Sequence, residues 1–150
     1  WLLKALDRQP AAQGEAQRDR FAGLSPIDAL HRRLDEIDLD DSVAAHTRSS
    51  RALRIFLDRR LEVSAVEATT TEIQRHLHRT SLTSEEVREI LDLLRACDRV
   101  KFAREAVVPA RTGERVATVR RIADGVERQV VARLAAAADR ARDAKRRKAA

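Results

Sequence analysis

Apolar residues recur along this chain at spacings of three and four, the period of one face of an α-helix. The first such stripe is Ile27, Leu30, Leu34 and Ile37, and Ser25-Pro26-Ile27-Asp28 ahead of it supplies a capping side chain, a first-turn proline and an acid. The run Asp38-Leu39-Asp40-Asp41-Ser42 ends that helix and caps a second, whose stripe reads Val43, Leu53, Phe56, Leu57 and Leu61. Residues 63–68 read as a short extended link. Thr69-Thr70-Thr71-Glu72 then spells a capping box, with Ile73 and Leu77 as the buried side of the short helix it opens. A second box, Thr83-Ser84-Glu85-Glu86, opens a helix carrying Val87, Ile90, Leu91, Leu94 and Cys97 on one face and continuing towards Val100 or Phe102. Val107-Val108-Pro109 breaks the pattern, and a last long helix is expected from near Thr112, striped by Val116, Val119, Ala123, Val126 and Val130. Past Leu134 the chain holds only alanine and charged residues, so it is helix-prone without an apolar face and is expected to project into solvent or fray.

The pattern predicts an all-α fold: a single bundle of about five helices with a long C-terminal one. Residues 7–23 are polar, contain Pro10, Gly14 and Gly23, and lack a sustained apolar period, so residues 1–24 read as a linker or juxtamembrane tether. Residues 25–134 are then the helical domain and 135–150 a basic tail, helical or frayed. No internal repeat is visible.

Composition agrees with this reading. Of 150 residues, 43% are hydrophobic, enough for a core, while aromatics are 3% and there are only four Gly and three Pro. The net charge of +6 is unevenly placed. Arg140, Arg142, Lys145, Arg146, Arg147 and Lys148 stand against Asp139 and Asp143, so the last twelve residues hold +4 of it and the rest of the chain +2. The basic character belongs to the tail more than to the body, and those six cations are candidates for holding a polyanion or an anionic lipid surface.

The candidate chemistry is sparse. Cys97 is the sole cysteine, which rules out an intrachain disulfide and fits a reducing, cytoplasmic compartment. Its place on an apolar stripe favours core packing over nucleophilic catalysis. His76 and His78 are two apart on a helix, so their rings point in different directions and do not share a metal as residues four apart do. Asp38, Asp40 and Ser42 imitate the start of a calcium loop, yet Val43 and Ser49 occupy the positions that need glycine and a bidentate acid. Phosphate loops, paired-carboxylate motifs and nucleophile elbows are missing, so the reading is non-enzymatic, with no cofactor and no small-molecule substrate. No apolar run reaches the ~20 residues of a spanning helix. The opening Trp1-Leu2-Leu3-Lys4 has the form of a chain leaving a bilayer, and a tether through sequence upstream of residue 1 is one expectation.

Three segments in order resemble the cytosolic domain of BatD-like membrane-anchored accessory proteins encoded with MoxR-type AAA+ ATPases and von Willebrand factor A proteins. They are Ser50-Arg51-Ala52-Leu53-Arg54-Ile55-Phe56-Leu57, Val66-Glu67-Ala68-Thr69-Thr70-Thr71-Glu72-Ile73, and Leu94-Arg95-Ala96-Cys97-Asp98-Arg99-Val100-Lys101-Phe102-Ala103, the last being the most specific. The resemblance covers residues 30–105. It lacks the proline expected near residues 63–65, and the long last helix with its basic tail lies outside it. It implies a bacterial, membrane-tethered cytoplasmic adaptor or structural subunit of an AAA+ ATPase-associated or related membrane complex, working through protein partners. Arg51, Arg54, Asp98, Arg99, Lys101 and Phe102 are the candidate partner-binding residues. The competing reading is a helix-turn-helix nucleic-acid binder built on the two capping-box helices. Against it, the second of these carries Glu85, Glu86, Glu89 and Asp92 against Arg88 and Arg95, a poor surface for phosphates, so no specific nucleic acid is expected.

Overall fold

The computed structural model describes residues 19–103 and 106–150 and contains five helices. They are α1 (Pro26–Asp35), α2 (Ser42–Leu61), α3 (Thr70–Leu77), α4 (Ser84–Ala103) and α5 (Pro109–Ala149). The chain is all-α, and the described residues contain no strand. Among them, no helix is long and apolar enough to cross a membrane. The helix α2 is the centre of the bundle, packing against α1, α4 and α5, whereas α3 packs only on α4 among the described helices.

Four of the five helices, α1 to α4, start where a side chain satisfies orphan N–H groups of the first turn, whereas α5 has no side-chain cap. The Ser25 hydroxyl accepts from Asp28 N–H, and Asp41 accepts from Ala44 N–H at 3.0 Å. In α3 the Glu72 carboxylate accepts from Thr69 N–H at 2.8 Å while the Thr69 hydroxyl accepts from Glu72 N–H at 3.3 Å. The same exchange joins Thr83 and Glu86 at the start of α4, at 2.7 and 3.3 Å. Both capping boxes therefore form as their spacing predicts. The last helix begins at Pro109 rather than near Thr112. Proline lacks only an N–H that a first turn leaves unbonded anyway, so it starts this helix instead of breaking the chain before it.

Glu72 is exposed, and its carboxyl is held below the ordinary 4.5, chiefly by the Thr69 backbone N–H and then by the Thr69 hydroxyl. A depressed folded value means that the carboxylate stabilises the fold above the ordinary value and that this contribution is lost as pH falls through the folded one. Urea denaturation across acid pH is expected to show this loss in the wild type and a flatter profile in Glu72→Gln.

The core gathers Leu30, Leu53, Phe56, Leu57, Ile73, Leu77, Ile90 and Leu94, each fully buried, with Val116, Val119, Ala123 and Val126 from α5. Two stripe positions depart from expectation. Val43 is 45% exposed, because the first half of α2 turns small and polar residues inward instead: Ala45, His46 and Ser49. The His46 ring donates through Nδ1–H to the Ser42 carbonyl at 2.7 Å, and the Ser42 and Thr112 hydroxyls meet at 3.2 Å where α2 crosses the start of α5. At the end of α4, Val100 is buried but Phe102 is 73% exposed, two positions round the helix from the stripe.

Residues 1–18 of the predicted tether, Trp1 among them, lie outside the described residues, as do Arg104 and Glu105 at the end of the resembling region. Residues 19–24 are held on the bundle. Asp19 pairs with Arg33, Arg20 pairs with Glu36, and Arg59 donates to the Leu24 carbonyl at 2.6 Å. The Arg20 and Arg33 guanidinium groups both lie over the Phe21 ring, 4.8 and 5.2 Å from its centroid. At the other end, α5 runs 41 residues, about 60 Å at the α-helical rise. Its first half carries the apolar stripe, with Val130 partly buried, and every residue from Leu134 onward is exposed.

Two polar clasps fasten the long helix to the bundle. The Arg120 guanidinium donates to His31 Nδ1 at 2.8 Å and to Asp35 at 2.6 Å, while His31 Nε2 meets Asp124 at 2.8 Å. Since arginine only donates, Nδ1 must accept, and the proton of the neutral ring sits on Nε2, facing Asp124. On α2, Arg60 Nε and Glu127 lie 2.8 Å apart, an ion pair without hydrogen-bond alignment.

Candidate functional site

The link between α2 and α3 decides the local shape of the site. Glu62 ends α2 in the left-handed conformation, φ 55°, which a non-glycine residue adopts at a cost on the order of 1 kcal/mol. From there the chain runs non-helically through residues 63–68, and the Ala65 and Ala68 carbonyls have no helix ladder to pair with. Arg54, half-buried on α2, supplies the missing donors: its guanidinium donates to the carbonyls of Ala65, at 3.1 Å, and Ala68. Its Nε lies 3.5 Å from the Ser50 hydroxyl on the preceding turn. On the far side, Thr70 at the first turn of α3 donates its hydroxyl to Asp98 on α4 at 3.0 Å.

These bonds hold open a groove of about 430 Å³. Its wall on α2 is Thr47, Ser50, Arg51 and Arg54, its floor residues 66–70, and its far wall Asp98, Lys101 and Phe102 at the end of α4. The Lys101 ammonium lies 4.7 Å from the centre of the exposed Phe102 ring, a cation–π contact worth about 0.5–1 kcal/mol at such a surface. Arg51 is exposed, with no hydrogen bond or ion pair to another described residue.

Five of the six candidate partner-binding residues thus meet at one groove: Arg51, Arg54, Asp98, Lys101 and Phe102. Arg99 does not join them. One residue further round α4, it lines a separate depression with Arg115 and Arg121 of α5. Arg54 and Asp98 are engaged in building the groove, which leaves Arg51, Lys101 and Phe102 as the groups free to face a partner. Glu67 and Thr47 are the groove contributions that residue-by-residue reading missed, and Arg48 lines the adjoining hollow that Arg51 also borders. Arg48 lies one turn before Arg51 on the same exposed side of α2, a spacing readable in hindsight.

The six tail cations Arg140, Arg142, Lys145, Arg146, Arg147 and Lys148 are all exposed on the last turns of α5, and none lines the groove. Arg142 approaches Asp139 at 3.8 Å, one helical turn away. At the start of α4, Glu86 is occupied by its capping box, Glu89 pairs with Arg121 at 3.4 Å and Asp92 with Arg95 at 3.5 Å. This face presents carboxylates where a recognition helix needs donors for phosphate.

Cys97 is buried beside the groove wall, and burial pushes its thiol up to about 11, with the Arg115 and Arg54 charges opposing that rise and Asp98 adding to it. Thiolate is the reacting species, so a folded Cys97 is expected to react with a disulfide reagent at pH 8 far more slowly than the same protein in urea. Native thiol titration checks this, and rapid complete modification of the folded chain is the contrary result. Among the described residues no group of three or more His, Cys, Asp or Glu is placed to hold a metal ion. No protein-family model matches the chain, and the curated proteins and solved structures compared with it give no match either.

Proposed function

We propose that this chain is a cytoplasmic protein-interaction domain of a membrane-anchored subunit, serving as adaptor or structural component of a MoxR-type AAA+ ATPase-associated or related membrane complex, without catalysis of its own. The observation that carries the reading is a convergence. The three segments that resemble the BatD-like accessory domain are far apart in sequence, yet each contributes to the same groove: Ser50, Arg51 and Arg54 from the first, residues 66–70 from the second, and Asp98, Lys101 and Phe102 from the third. Purely structural segments would need only to share the core. Here they also share an open surface with the unpaired Arg51 and the exposed Phe102 ring, arginine and aromatic residues being the types enriched where proteins meet. The basic tail serves the same role in a second way, by holding an anionic membrane surface at about 1 kcal/mol per cation close to it.

The test is sedimentation of the full chain with a purified MoxR-type ATPase in the presence of nucleotide. A complex is expected, weakened by the double variant Arg51→Glu, Lys101→Glu and retained when the tail cations are changed to glutamine. Failure of any such complex, with selection of one duplex sequence through α3 and α4, would replace this reading with the nucleic-acid one.

A further inference from the structure

We infer that the groove's partner is an acidic protein segment that carries one large apolar side chain, the acids meeting the unpaired cations on α2 and α4 and the apolar side chain covering Phe102. The inference rests on the reading of the groove as an interaction site and adds the chemistry of what enters it.

The charges around the groove are not equally available. Arg54 is used on two backbone carbonyls and Asp98 on the Thr70 hydroxyl. In the adjoining depression, Arg20 and Arg33 are paired with Glu36 and Asp19. What remains is Arg51 and Lys101 in the groove and Arg48 in the adjoining hollow, none with an ion pair to another described residue, with Glu67 the one exposed acid among the residues lining the groove. Arg51 borders both hollows and so stands between Arg48 of the one and Lys101 of the other. Lone surface cations are ordinary, but Arg51 and Lys101 beside a ring that is 73% exposed, with Arg48 in the next hollow, constitute an electrostatic and apolar pattern that an acidic segment with one anchor complements.

The same pattern disfavours nucleic acid. A phosphate backbone presents negative charge at every step, and along this groove it would meet Glu67 and Asp98 between the cations. A peptide has N–H donors between its acids, which those two carboxylates can accept. At about 430 Å³ the groove is of a size to receive a few side chains rather than a folded surface.

Fluorescence anisotropy of the full chain with short synthetic peptides tests this. The probes are a glutamate-rich peptide with a central Phe, the same peptide with that Phe changed to Ser, and a lysine-for-glutamate version. The first is expected to bind and to weaken as salt rises, and the lysine version not to bind. Reversing Arg51 and Lys101 together is expected to lower its affinity by about tenfold or more. Phe102→Ser is expected to bring the affinity of the first probe down towards that of the Ser probe and to leave the latter unchanged. All three substitutions are at exposed positions, and unchanged circular dichroism confirms that the variants fold. Neutralising the tail cations to glutamine separates the groove from a general polyanion site: binding that follows the tail, that ignores the groove variants, or that duplex DNA matches at the same residues would overturn the inference. Peptide binding at the groove without an ATPase complex would remove the MoxR-type partner and keep the acidic segment. An ATPase complex with no peptide binding would do the reverse.

Discussion

Truncating Phe56 to alanine is expected to destabilise the chain by about 3–5 kcal/mol, the range for removing a large aromatic side chain from a closed core. Phe56 is 1% exposed and sits on α2, the helix that α1, α4 and α5 all pack against. It is also the largest fully buried side chain among the described residues, so its truncation leaves the largest space for its neighbours to collapse into. Domains of this size are stable by about 5–15 kcal/mol, so the loss is a large share of the total and brings the weakest of them near unfolding. Urea denaturation followed by circular dichroism measures it. A change below about 1 kcal/mol would mean that the described packing around α2 is wrong.

The second large effect is expected at Arg54, and its reach is local as well as global. Arg54→Ala leaves the Ala65 and Ala68 carbonyls without their side-chain donor, and Ala65 is wholly buried. An unsatisfied buried polar group costs about 1–3 kcal/mol. Because α3 packs on α4 and not on α2, the residue 62–69 link and this arginine are what tie the floor of the groove to its α2 wall. Loss of partner binding is therefore expected to exceed what the stability change alone explains. Arg54→Lys should recover only part of either, since one ammonium lacks the planar fork that reaches two carbonyls at once. Equal binding by wild type and Arg54→Ala would separate the groove from the function.

Much of this architecture was legible because its causes are local. Capping boxes work within four residues, and Thr69 with Glu72 and Thr83 with Glu86 announce themselves in the sequence and then form. The stripe of α4 from Val87 to Cys97 likewise needs no knowledge of its neighbours. What could not be read depended on which element lay opposite. Val43 obeys the helical period of α2 but faces solvent, because the start of α5 brings Thr112 to Ser42 and favours Ala45 and Ser49 at the crossing. Pro109 has the same residue type whether it stops a helix or starts one, and only the following turns decide.

The site divides in the same way. The motif segments point to Arg51, Arg54, Asp98, Lys101 and Phe102, but their meeting is a tertiary fact created by Arg54 reaching over to the link. Arg99 illustrates the limit of reading by segment: it belongs to the most specific motif, yet the turn of α4 carries it to another surface. Arg48 shows the converse, since it lies outside every motif and gains its place from being one turn from Arg51.

The proposal that three distant segments converge on a partner-binding groove is tested most directly by amide chemical-shift mapping of the full chain titrated with a MoxR-type ATPase. Shifts and broadening concentrated on residues 47–54, 66–70 and 98–102, and absent in the Arg51→Glu, Lys101→Glu variant, are the expected result. Perturbations confined to the start of α4 or to residues 139–150, with the groove silent, would contradict it.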